Sequence, residues 1–173
     1  MKYISLILLC AAFGFGQSFT VSRADDIAVA PNGEGVQQIE RVEIRTYSSD
    51  KHYRLQIACT LRETARMDIE IHSDSRLFPY QPSPDISALF KDGVNVVLAW
   101  DNDRAESDTW VLSPDLQNLS RTMKADAPWW REKLTAHSQL RVSLPHPDSL
   151  TPNVQTFNIH GIGEEMSKHE ECQ

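Results

Sequence analysis

Residues 53–61, YRLQIACTL, put Tyr53, Leu55, Ile57, Cys59 and Leu61 on one side of an extended chain and Arg54, Gln56, Ala58 and Thr60 on the other. Apolar residues recurring at period two mark a strand with one face in a core. Cys59 lies on that apolar face. Cys10 belongs to an amino-terminal apolar run, so Cys172 is the remaining partner for Cys59 among the chain's 3 cysteines. A strand tied to a cysteine so much later in the chain restricts the topologies open to everything between them.

The amino terminus sets the compartment. Lys2 precedes an apolar run over residues 4–15, and Ser22-Arg23-Ala24 supplies small residues ahead of Asp25-Asp26. The run is short for a bilayer span and has the order of an export signal. Cleavage after Ala24 and a periplasmic location are therefore expected, with residues 1–24 the signal peptide and no membrane attachment afterwards. A lipidated Cys10 is disfavoured, because bulky Leu8-Leu9 precede it where small residues are needed. In an oxidising compartment two cysteines form a disulfide framework, and the expected pair is Cys59–Cys172. The competing arrangement is a reactive Cys172 thiol beside His169. That thiol would need a positive field, which Glu170 and Glu171 oppose.

The chain of 173 residues has a formal net charge of −7, and the leader would remove two of its cations, Lys2 and Arg23. Nucleic acid and anionic membrane surfaces are disfavoured as partners by that sign. The acidic groups are scattered, as on a solvated surface, and do not form a block.

Residues 25–37 contain Pro31, Gly33 and Gly35 with little apolar pattern and read as a flexible arm. Residues 38–173 read as one domain. Alternation returns in residues 39–47 with Val42 and Ile44, and in residues 67–71 with Met67, Ile69 and Ile71. With the Cys59 strand these predict an antiparallel meander with one wet face. Pro79, Pro82 and Pro84 rule out a central strand and predict a long surface excursion. Val94, Val96, Leu98 and Trp100 make a buried row, followed by a turn at Asp101-Asn102-Asp103 and a short strand over residues 109–112. Ser113-Pro114 suggests a helical turn. Asp126 is placed to cap a helix over residues 128–137. Strands at residues 140–144 and 157–159 and a last helix ending near Cys172 complete the pattern. The expected fold is mainly β: a single antiparallel β-sandwich or strongly curved sheet of about seven strands, with one internal helix and a C-terminal helix.

Catalytic and metal chemistry find little to stand on. The 6 histidines have neither H-x-x-x-H nor paired C-x-x-C spacing. Asp101-Asn102-Asp103 opens like a calcium loop, but Glu106 stands where glycine is required and Leu112 where glutamate is. No G-x-S-x-G elbow or glycine-rich phosphate loop occurs. A non-enzymatic protein without a cofactor or metal is the expectation. Trp129-Trp130 is the one aromatic pair suited to a contact surface, since adjacent helix positions point about 100° apart and cannot share one buried direction. Trp129 and Trp130, with Phe78 and Tyr80 of the excursion, are the candidate partner-binding residues. The alternative is that the excursion covers both tryptophans as core.

Taken in order, the strand-borne Cys59 in LQIAC, Asp101 followed by W-V-L-S-P-D, WWREKLTAHSQLRVSLP, and FNIHGI leading to a helix ending in Cys172 resemble the VasI-like periplasmic proteins associated with bacterial type VI secretion. The resemblance covers most of the chain from about residue 41. Ala99, His146-Pro147 and Glu170-Glu171 depart from it. It implies an accessory of an envelope secretion machine with a protein partner, and it carries over no catalytic residue. A small periplasmic inhibitor or binding module acting on a wall-active enzyme is the other class compatible with this size, acidity and disulfide.

Overall fold

The computed structural model describes residues 19–29, 36–61, 66–77, 90–124, 127–144 and 153–173. They form one antiparallel sheet of 9 strands, not closed, in the order β1-β2-β3-β4-β7-β6-β5-β8-β9. The strands are β1 (Phe19–Val29), β2 (Val36–Tyr47), β3 (Tyr53–Thr60), β4 (Arg66–Ser73), β5 (Val94–Trp100), β6 (Glu106–Leu112), β7 (Asn118–Lys124), β8 (Gln139–Leu144) and β9 (Asn153–Asn158). Helix α1 (Pro128–Ala136) lies between β7 and β8. Helix α2 (Ile162–Met166) and a single 3-10 turn (Glu170–Cys172) follow β9.

The expected meander is present as β2, β3 and β4, paired through Ile44↔Ile57 and Ile57↔Ile69. These side chains are buried because the period-two pattern turns all of them to one face. The opposite face of β3 is drier than a wet face should be: Gln56, Ala58 and Thr60 are buried as well. Polar side chains lie along that side, where Arg41 pairs with Glu43 at 3.0 Å and Arg45 Nε donates to Gln56 at 2.9 Å.

Curvature comes from β6. Its residues Glu106 to Trp110 pair with β5, from Leu98↔Glu106 to Val94↔Trp110. Its last residues alone pair with β7, through Val111↔Ser120 and Leu112↔Leu119. The sheet bends there, and β9 comes round to the end of β2. Ser48 bridges Phe157, and Thr46 Oγ1 donates to the Asn158 carbonyl at 3.1 Å. One core fills the interior, drawn from both halves of the sheet and from α1 and α2.

The sequence reading is corrected at several points. The sheet has 9 strands where about seven were expected, Asn118–Lys124 being an added one, and the last helix stops at Met166 with only a 3-10 turn reaching Cys172. Residues 25–29 continue β1 and residues 36–37 begin β2, where a flexible arm was expected; residues 30–35 lie outside the described residues. Ser113-Pro114 begins the β6–β7 turn instead of a helical turn, because Ser113 N–H donates to the Asn118 carbonyl at 2.9 Å. Helix α1 has Ala127 as N-cap with no side-chain cap hydrogen bond, and Pro128 supplies the first turn. Asp126 lies outside the described residues, as do Pro79, Pro82 and Pro84.

The disulfide joins Cys59 in β3 to Cys172 in the 3-10 turn, with the Cα atoms 5.0 Å apart. Both cysteines are fully buried. The terminal helical segment is thereby held on β2, β3 and β4. Gly163 brings α2 close to α1: a Cβ there would stand 2.6 Å from Thr135 Cα, so any larger residue would force the helices apart.

Candidate partner-binding surface

All 4 tryptophans of the chain meet in one place. Trp100 ends β5 on the inward side of its alternation, and Trp110 faces inward within β6, so both rings enter the core. Pro128 starts α1 where Trp130 follows Leu134 onto the buried stripe. Trp129, one position earlier, is carried to the rim. The residue remains 37% exposed, against 5% for Trp130 and none for Trp100 and Trp110. Trp130 is thus core, and Trp129 is the member of the pair that reaches solvent.

The rings stand edge to face. Trp129 meets Trp100 at 5.9 Å between centroids and Trp130 at 5.2 Å, with interplanar angles of 81° and 83°. Trp130 in turn meets Trp100 at 5.3 Å and Trp110 at 6.1 Å. This geometry puts the positive edge of one ring against the negative face of the next. It also holds the exposed indole in a fixed orientation.

Charges surround the exposed ring. Lys133, one turn along α1, has its ammonium 5.9 Å from the Trp129 ring centroid, 3.2 Å from Asp103 and 3.3 Å from Glu106. Burial works to lower the pKa of Lys133, but hydrogen bonds to Asp103 and Glu106 outweigh it and hold the ammonium above its ordinary range. Beside Trp129 and Trp130 a groove of about 350 Å³ runs between α1 and the β6–β7 region, with Glu106, Asp108, Arg121 and Met123 along it. Asp108 accepts from Trp110 Nε1 at 3.2 Å and lies 3.5 Å from Arg121 Nε. The groove therefore offers an aromatic face, a thioether and charges of both signs.

Asp101 fixes the turn behind this surface. It has a left-handed backbone, with φ of 42°, uncommon for a residue other than glycine. Its carboxylate accepts from the backbone N–H of Ser138 at 3.1 Å and of Gln139 at 2.8 Å, and lies 3.1 Å from His137 Nδ1. Burial raises its pKa. The bonds from Ser138, His137 and Gln139 more than offset this, and the carboxyl is held below its usual range. Asp101 thus ties the β5–β6 turn to the junction of α1 and β8. The three acidic and amide residues of the turn serve it as turn residues, and among the described residues no group of three or more His, Cys, Asp or Glu is placed to hold a metal ion.

One hydroxyl–imidazole contact was invisible in the sequence, Ser138 Oγ at 3.4 Å from His160 Nδ1. Both residues are at the surface, and the Asp101 carboxylate nearby is taken up by Ser138 N–H, Gln139 N–H and His137. A base of this kind needs an orienting acid of its own, and Asp101 is committed elsewhere.

Of the residues expected to bind a partner, the structure brings Trp129 and Trp130 together and separates their roles. Phe78 and Tyr80 lie outside the described residues. Glu106, Asp108 and Arg121 were missed, since in sequence they are ordinary surface charges and only the bend at β6 carries them to α1. Comparison with protein-family models, with curated proteins and with solved structures found no match to the chain.

Proposed function

We propose that this protein is an exported, non-enzymatic accessory of the bacterial envelope that acts by binding another protein, in the type VI secretion context that its resemblance to VasI-like proteins implies. The observation that carries the reading is Trp129, a large aromatic side chain held rigidly at the rim of a groove with Arg121, Asp108 and Glu106 beside it. A buried aromatic base under an exposed tryptophan lowers the entropy lost on contact, and tryptophan with arginine dominates binding hot spots. The disulfide fits an oxidising compartment.

The test is capture from the periplasm of a bacterium carrying a type VI system, using the tagged full chain and its Trp129→Ala variant. Recovery of secretion components by the parent, lost in a variant that stays folded with its melting temperature lowered by only a few degrees, supports the reading. Recovery of a wall-active enzyme instead would move the function to the inhibitor class. Equal recovery by both proteins would remove Trp129 from the binding surface.

A further inference from the structure

Strand β1 crosses the position where the leader would be cut if cleavage followed Ala24. Its ladder with β2 runs from Phe19↔Thr46 to Val29↔Val36, and Ala24 stands within it opposite Arg41. Phe19 belongs to the core at 7% exposure. Its ring lies 3.6 Å from where a Cβ on Gly161 would stand, and Gly161 has a φ of 81° that favours glycine. The aromatic ring thus fills the space beside the α2 entry, near the point where β9 meets the end of β2. Arg23 places its guanidinium 3.8 Å from the carboxylate of Glu171, whose side chain is only 5% exposed. A cut after Ala24 would remove a core aromatic, open the edge of β2 from Arg41 to Thr46, and take the Arg23 cation from a buried carboxylate next to Cys172. The Arg23 side chain is itself 65% exposed, so the loss falls mainly on the core aromatic and the ladder.

The sequence holds a second set of small residues, directly behind the apolar run. Gly14 and Gly16 stand third and first before the Gly16–Gln17 bond, and Ile4 to Phe15 precede it as the apolar region. That is the order an export peptidase reads: a basic start, an apolar stretch and small residues at the cut. We propose that the signal peptide ends at Gly16, so that Gln17 begins the exported chain and β1 is part of the mature domain. Water adds across the Gly16–Gln17 amide, leaving a carboxylate on Gly16 and an amino group on Gln17. That amine can then close onto its own side-chain amide with loss of ammonia. This inference rests on the export reading above and replaces only the position of the cut.

The test is expression of the full chain in a bacterial host, recovery of the periplasmic fraction, and mass-spectrometric mapping of the amino-terminal peptide. A terminus at Gln17, free or cyclised, is expected. A terminus at Asp25, or a periplasmic chain still carrying residues 1–16, overturns the assignment while leaving export intact, and a chain confined to the cytoplasm overturns the export reading with it. A second pair of variants gives an independent check. Gly16→Leu should abolish the Gln17 terminus and accumulate precursor, whereas Ala24→Leu should be processed like the parent. The reverse result would place the cut after Ala24.

Discussion

Trp100 and Trp129 meet edge to face with ring centroids 5.9 Å apart, the first fully buried at the end of β5 and the second more than one-third exposed at the start of α1. The exposed ring is therefore held by the core and yet contributes little to it. Trp129→Ala should cost about 1–2 kcal/mol, the scale of a partly buried aromatic with its ring contacts. Trp130→Ala, at a buried position, should cost about 3–5 kcal/mol. Urea unfolding of the two variants checks the order. Equal losses would mean that Trp129 is as much core as its neighbour.

Reduction should cost the fold a large share of its stability. Cys59 and Cys172 are separated by 113 residues, and in the chain-entropy model a loop near that length contributes about 4–5 kcal/mol. Denaturant midpoints of the oxidised protein and of a Cys59→Ala, Cys172→Ala variant measure it. Native protein that takes up alkylating reagent at both cysteines before unfolding would refute the bond itself.

Phe19→Ala should lower stability by about 3–5 kcal/mol, because the ring is buried against the core beside Gly161. Thr20, the next residue and exposed, should tolerate Ala within about 0.5 kcal/mol. Thermal unfolding of the two variants, in chains starting at Gln17, tests whether β1 is integral to the domain. No difference between them would make β1 dispensable.

Asp101 gives the fold a pH dependence of known sign. Its folded pKa lies below the ordinary value, so its contribution is complete above about pH 4. As pH falls through the folded pKa the carboxylate is protonated, and that contribution is lost. Asp101→Asn should therefore be less stable than the parent near neutrality, with the gap narrowing in acid. Melting temperatures of both proteins across that range provide the measurement, and a gap that widened in acid would contradict the assignment.

Legibility in the sequence followed burial. Tyr53–Thr60 and Val94–Trp100 each carry an unbroken apolar alternation, and both are strands. Asn118–Lys124 was not expected to be one: Leu119 and Met123 are its only large apolar residues, and its place between β4 and β6 is dictated by those neighbours. Phe19–Val29 was hidden differently, because its first half was assigned to a leader and its second lacks apolar period. At the candidate site, the Trp129-Trp130 pair announced that the two rings must part company. Which of them faces solvent depends on the rotation of α1 against Trp100 and Trp110, and that depends on strands far away in sequence.

Cys59 is synthesised 113 residues before the cysteine it joins. Its neighbours across the ladder, Val42 in β2 and Met67 in β4, are both made close to it in time. The local meander is thus able to assemble while Cys59 is still a thiol, and the position is one that the finished sheet buries completely. The order of events is built into the chain: shelter first, oxidation last. A nascent chain halted before its final segment would hold an unpaired cysteine in the middle of its sheet, exposed to mispairing whenever that sheet opened.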